Sequence, residues 1–199
     1  TLHDLLHNSV ERAPAHVAIV DGSAEYTYED LARQSASLCA ALQDAGVRKG
    51  DRVGILLEKT WEAIVAMLAA SMAGAAYVNI NPLFKAPQVH YIADDCDIRV
   101  LIGDSNKLEE LEPGTIAGTA FYKGEEPSPK VAGSLVDVAE ALTSEDTPHE
   151  TRQVSEVDLG TILYTSGSTG MPKGVATSQR NIVVGAQIVS TYLSNTPKD

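Results

Sequence analysis

Cysteine is scarce in this chain. There are two among 199 residues, Cys39 and Cys96, far apart and in no CxxC pair. That excludes a disulfide framework and a cysteine-built zinc site, and reads as two small buried hydrophobes. Positive charge is also short: 15 Lys and Arg stand against 27 Asp and Glu, a formal net charge of -12. With no general positive field, nucleic acid and anionic membrane surfaces are poor partners, and any anion must be held by local groups. No apolar run approaches the roughly 20 residues of a membrane span. The first residues lack a basic stretch followed by an apolar one, so no secretory signal is read, and a reducing cytoplasm fits best. What remains is an ordinary soluble composition, 44% hydrophobic and 21% charged, enough for one domain with a real core, or one and a part.

The apolar pattern alternates between short runs and helical stretches. Val17 to Val20, the turn signal Asp21-Gly22, and Ala24 to Tyr26 predict a hairpin. Thr27 and Asp30 have capping-box spacing and open a helix that carries Leu31, Leu38, Leu42 and Ala45 and stops at Gly46. Asp51 to Leu57 is a buried strand. Trp61 to Ala73 is apolar nearly all round and predicts a covered helix that ends at Gly74. Ala76 to Ile80 is a strand, Gln88 to Asp94 a helix after Pro87, and Arg99 to Ile102 another strand. Strands and helices in this alternation imply right-handed crossovers and a mostly parallel sheet flanked by helices, an α/β fold. The near-continuous apolar strands agree, because both faces of such a sheet are covered. Ser105 to Arg152 reads as surface connection, with a short strand near Ala120 to Tyr122 and a helix near Leu135 to Leu142. A second pattern follows: a strand from Leu159 to Tyr164, a returning strand from Gly174 to Thr177, and a helix from Arg180 to Leu193 capped by Ser178.

Between those last two strands lies Thr165-Ser-Gly-Ser-Thr-Gly170, an unbroken run of small residues, and then Pro172-Lys173-Gly174. Glycine lets backbone N–H groups converge and an anion approach closely, hydroxyls add rotatable donors, and Lys173 adds a compact positive charge. The expected site is therefore for phosphate: Thr165, Ser166, Gly167, Ser168, Thr169, Gly170 and Lys173. It is not a Walker loop, because Lys173 precedes glycine and leads into a strand, not a helix. Nor is it a dinucleotide fingerprint, since Gly167 and Gly170 lack its first glycine.

The segment Tyr164-Thr-Ser-Gly-Ser-Thr-Gly-Met-Pro-Lys-Gly-Val175 resembles the signature of the adenylate-forming superfamily: acyl-CoA synthetases, peptide-synthetase adenylation domains and luciferases. Tyr26-Thr-Tyr-Glu-Asp-Leu31 is similar to its first core motif, and Ala73-Gly-Ala-Ala-Tyr-Val78 to its second. Asn79-Ile-Asn-Pro-Leu-Phe-Lys-Ala86, with Val89-His-Tyr-Ile92, is more similar to acyl-CoA synthetases, and within the superfamily the chain most resembles bacterial AMP-forming acyl-CoA ligases. The family often has Ser-His where this chain has Ser178-Gln179, which leaves the substrate class open.

The resemblance implies the N-terminal portion of the large domain of an adenylate-forming enzyme. Residues 1–150 would be a first α/β subdomain and 151–199 the start of a second that carries the loop, with the remainder, including a C-terminal domain, absent. It implies that a carboxylic acid attacks MgATP to give acyl-AMP and pyrophosphate, and that a thiol, usually of coenzyme A, then takes the acyl group. Thr165 to Gly170 and Lys173 would hold the β- and γ-phosphates, and Thr165 would help hold Mg2+. The family's catalytic residues lie further along, so none is expected within these residues, and the chain alone is expected to be inactive. An amino-acid adenylation domain of a peptide synthetase, or a non-catalytic nucleotide-binding module, are the alternatives. The acyl substrate and the oligomeric state are not readable.

Other signals read as structure. His3 and His7 are one helical turn apart, but with Leu2, Leu5, Leu6 and Val10 they make a surface helix. Asp94-Asp-Cys-Asp97 ends a helix before the Arg99 strand, Glu109-Glu110 is a solvated face, and Trp61, Met67 and Met72 are read as core.

Overall fold

The computed structural model describes residues 1–128, 132–146, 148, 153–165 and 172–194. Helix α1 (Leu2–Arg12) precedes an antiparallel hairpin, β1 (Val17–Asp21) and β2 (Ala24–Thr27), turned at Gly22 with φ of 62°. Thr27 then caps α2 (Tyr28–Asp44). Its hydroxyl accepts the Asp30 N–H at 3.1 Å, while the Asp30 carboxylate accepts the Thr27 N–H at 3.1 Å. Two orphan donors of the helix start are thereby satisfied. Thr27→Ala is expected to cost about 1 kcal/mol in urea unfolding. An unchanged midpoint would show that the box adds nothing here.

The main sheet is built from β3 (Arg52–Leu56), β4 (Ala76–Asn79), β5 (Ile98–Asp104), β6 (Thr119–Lys123), β7 (Ser134–Asp137), β8 (Leu159–Thr165) and β9 (Lys173–Ser178). Its order is β7-β6-β5-β3-β4-β8-β9, and every neighbouring pair is parallel except β8 with β9. Helices α3 (Trp61–Met72), α4 (Ala86–Asp95), α5 (Ser105–Glu109), α6 (Val138–Thr143) and α7 (Gln179–Leu193) complete the chain.

The continuous apolar strands serve two cores, because successive side chains point to opposite faces. Val53, Ile55, Tyr77, Val100, Ile102 and Phe121 turn to the face covered by α1, α2, α3 and α6. Leu56, Val78, Leu101 and Ala120 turn to the face covered by α4 and α5. Both cysteines are buried, Cys39 in the first core and Cys96 in the second.

Two expectations need correction. The helix expected near Leu135 to Leu142 begins only at Val138; Ser134–Asp137 is instead strand β7, with Leu135 opposite Ala120 and Val136 opposite Phe121. Asp137 makes the switch by accepting the Ala139 N–H at 2.8 Å, an N-cap that opens α6. In the stretch read as surface connection, α5 forms, and Leu108 is fully buried in the space left by Gly103, where a Cβ would meet Leu108 at 3.0 Å. Five residues are too few to show helical periodicity.

The last two strands, β8 and β9, belong to the same sheet as β3 to β7. β8 lies beside β4 through the parallel pair Tyr77 and Thr161, and β9 extends the edge beyond it. Among the described residues no helix is long and apolar enough to cross a membrane.

Candidate phosphate loop and adjoining cleft

Strands β8 and β9 bring the two ends of the small-residue loop together. Thr165 lies opposite Lys173 and Tyr164 opposite Gly174. Thr165 and Lys173 are both exposed, and Pro172 beside Lys173 is buried. The residues that carry a hydroxyl and an ammonium thus face each other across the two strands at the loop mouth, and both groups are donors of the kind a phosphate accepts from. Ser166, Gly167, Ser168, Thr169 and Gly170 lie outside the described residues.

The hairpin is tied to the body at both ends. Near the loop, the Tyr164 hydroxyl donates to Asp95 Oδ2 at the end of α4 and lies 3.2 Å from Cys96 Sγ. Burial, helped by the neighbouring Asp95 carboxylate, pushes the phenol pKa well above its ordinary value, so it stays protonated and donates. Burial also pushes the Cys96 thiol up, which leaves it neutral and unreactive.

At the far end, Gly160 leaves room for the start of α7. A Cβ there would come 2.6 Å from Ile182 and 3.1 Å from the Gln179 nitrogen. Ser178 caps α7 by accepting the Asn181 N–H at 3.3 Å. Gln179, the departure from Ser-His, is fully buried. Its Oε1 accepts the Leu2 N–H at 2.9 Å, and its Nε2 donates to Ser71 Oγ at 3.2 Å. His3 Nδ1 meets the same Ser71 Oγ at 2.9 Å. One buried polar node therefore joins α1, α3 and α7. Nothing in the local pattern marked Gln179 as more than a helix-start residue.

The two histidines of α1 have different surroundings. His7 is exposed and 3.3 Å from Glu11, whereas His3 packs against Ser71. Burial lowers the His3 pKa, with Asp4 partly opposing. A histidine with a depressed folded pKa binds its proton later than the unfolded chain does. Its effect is therefore a stability that falls as pH drops below about 6.5, down to the folded pKa. Unfolding midpoints between pH 7 and 5 should fall less in His3→Gln than in the parent chain. Equal slopes would contradict this.

A cleft of about 910 Å³ reaches Tyr164 on β8, with Ile19, Trp61, Met67, Asn79 and Leu83 also among its walls. Trp61 and Met67, expected as core, thus also line a cavity. The reason is the β1–β2 hairpin, which folds over the start of α3. Trp61 stacks on Tyr26 with ring centroids 4.4 Å apart, and its backbone N–H donates to Asp21 Oδ2 at 3.1 Å. Tyr164 belongs both to the cleft wall and to the foot of the loop. A second hollow of about 510 Å³ lies by Glu58, Asp104, Lys107 and Lys123. Its two lysines are committed to Glu110 at 3.5 Å and Glu62 at 2.9 Å. Among the described residues, no group of three or more His, Cys, Asp or Glu could hold a metal ion.

The chain has similar proteins in both sequence and fold. The AMP-binding enzyme family model matches residues 6–199. Bacitracin synthase 3 of Bacillus licheniformis is 31% identical over 183 residues, 92% of this chain and 3% of that protein. The structure is similar to the anthranilate CoA ligase AuaEII in complex with anthranoyl-AMP, with TM-score 0.79 and 26% identity, covering 93% of this chain and 36% of that one. It is also similar to VinN in complex with L-aspartate, with TM-score 0.78 and 26% identity, covering 98% of this chain and 52% of that one. The chain thus spans a small part of the curated relative and about a third to a half of the solved chains.

Proposed function

The chain belongs to the AMP-binding enzyme family of adenylate-forming enzymes, and from that premise we propose that it supplies the phosphate-binding part of an AMP-forming acid–thiol ligase. The observation that carries this is the pairing of Thr165 with Lys173 at the mouth of the small-residue loop. In a chain of net charge -12, a triphosphate needs such a local site, because the overall field repels it. Thr165, Ser166, Gly167, Ser168, Thr169, Gly170 and Lys173 hold the β- and γ-phosphates of ATP and the departing pyrophosphate. Thr165 would offer one hydroxyl to the Mg2+ that usually accompanies such phosphates, and the ion would supply charge neutralisation there. Catalysis of this kind is positioning and charge neutralisation. In the same reading, residues 1–150 are the scaffold and 151–199 carry the loop and lead into further structure.

The acid is activated as acyl-AMP, and coenzyme A then takes the acyl group. The segment from Asn79 to Ala86 supports coenzyme A as acceptor, as does the likeness to a CoA ligase. A second reading, an amino-acid adenylation domain serving a carrier thiol, is favoured by the likeness to bacitracin synthase 3. The test is to incubate the protein containing this chain with MgATP, coenzyme A and a panel of fatty, aryl and amino acids, and to look for thioesters. Acyl-CoA formation supports the ligase. Acyl-AMP that loads only a carrier thiol supports the second reading and rejects the first.

A further inference from the structure

We propose that Tyr164, held by Asp95 and seated over Gly174, is a positioning residue that sets the two feet of the phosphate loop. The inference rests on the phosphate-loop reading above and adds to it a residue outside the small-residue run.

Three observations converge on it. Tyr164 and Gly174 are a cross-strand pair directly behind Thr165 and Lys173, so whatever fixes the first pair fixes the second. A Cβ on Gly174 would come 3.1 Å from Tyr164 Cζ, 3.3 Å from its Oη and 2.9 Å from Ile162 Cγ2. Glycine at 174 therefore leaves the strip of backbone across which the tyrosine ring lies. The ring ends on α4: its hydroxyl donates to Asp95 Oδ2 and touches Cys96 Sγ at 3.2 Å. That helix is a firm support, because Val89, Ile92 and Ala93 bury it against the sheet.

The contact is long-range, 69 residues along the chain, and it spans the edge where β8 meets β4 through a single residue pair. A hairpin with so short a ladder to its neighbour gains its orientation from side-chain ties. The phenol is such a tie, a hydrogen bond to a charged acceptor and so among the stronger kinds. It locates Thr165 and Lys173 before a nucleotide arrives, so less ordering remains to be done on binding. Asp95 and Tyr164 touch no phosphate in this account; they act through the loop.

The experiment uses the protein containing this chain and compares Tyr164→Phe, Asp95→Ala and Asp95→Asn, with Lys173→Ala as the reference for the loop itself. The readouts are KM and kcat for ATP, KM for the carboxylic acid, and amide hydrogen exchange in residues 161–165 and 173–177. Tyr164→Phe and Asp95→Ala are expected to raise the KM for ATP by about tenfold and to speed exchange in both strands, with the acid's KM unmoved. Asp95→Asn keeps an oxygen that accepts the phenol O–H and should stay within about threefold of the parent. If Tyr164→Phe has parental ATP kinetics and exchange while Lys173→Ala loses activity, the latch is wrong and the loop reading stands. If Lys173→Ala also has parental kinetics, the loop reading fails and takes the latch with it. If Tyr164→Phe raises both substrates' KM alike and lowers stability, the residue is merely structural and the proposal is overturned.

Discussion

Lys173→Ala lowers the nucleotide-dependent activity of the protein containing this chain by roughly 10²- to 10³-fold, the scale for deleting one donor aimed at developing phosphate charge, and leaves its unfolding midpoint in place. The two halves of that result have separate causes. Lys173 is exposed at the start of β9, and exposed substitutions away from caps and cores usually change stability by no more than about 0.5 kcal/mol. Its ammonium, in contrast, is the cation of the loop in a chain with 27 acidic residues and 15 basic ones. Removing it takes away the charge that offsets an otherwise repulsive field. Steady-state kinetics in ATP together with urea unfolding check both halves. Unchanged kinetics in a folded variant would remove the phosphate assignment.

Gln179→Leu has the opposite signature: a loss of stability of about 1–3 kcal/mol from a buried residue away from the loop mouth. Gln179 is fully buried, and its amide satisfies the Leu2 N–H and Ser71 Oγ together. Leucine fills a similar volume but returns neither hydrogen bond; Ser71 Oγ keeps His3 Nδ1 at 2.9 Å, whereas the Leu2 N–H loses its acceptor, and a buried polar group left unsatisfied costs about 1–3 kcal/mol. The loss spreads to α1 and α3, since the node is shared among three helices, so Ser71→Ala in the same background should not add its full single-variant cost. Urea titration of the single and double variants reads this directly. Full additivity would show that the two side chains act independently.

These two positions also show what is legible in a sequence and what is not. Lys173 stands out because its motif is local: small residues, proline and a cation in one run. The same holds for Thr27 with Asp30, for Ser178 at the start of α7 and for the strands of the sheet, whose signals lie within a few neighbouring residues. The misses have a common cause. β7 was hidden because Leu135 and Val136 suit a strand only when β6 is beside them, and strand preference depends on context. α5 was too short for a period. Gln179 and Tyr164 owe their roles to partners 108 and 69 residues away, Ser71 and Asp95. No local pattern announces such contacts. The likeness of Tyr164 to the first residue of a family signature located it without revealing what its hydroxyl does.

The most direct test of the central claim is carboxylate-dependent exchange of labelled pyrophosphate into ATP by the protein containing this chain, across fatty, aryl and amino acids. An adenylate-forming enzyme whose loop holds the β- and γ-phosphates returns label to ATP with at least one class of acid, and Lys173→Ala suppresses that return. Exchange that proceeds equally well with no acid present, or that is indifferent to Lys173, would contradict the account.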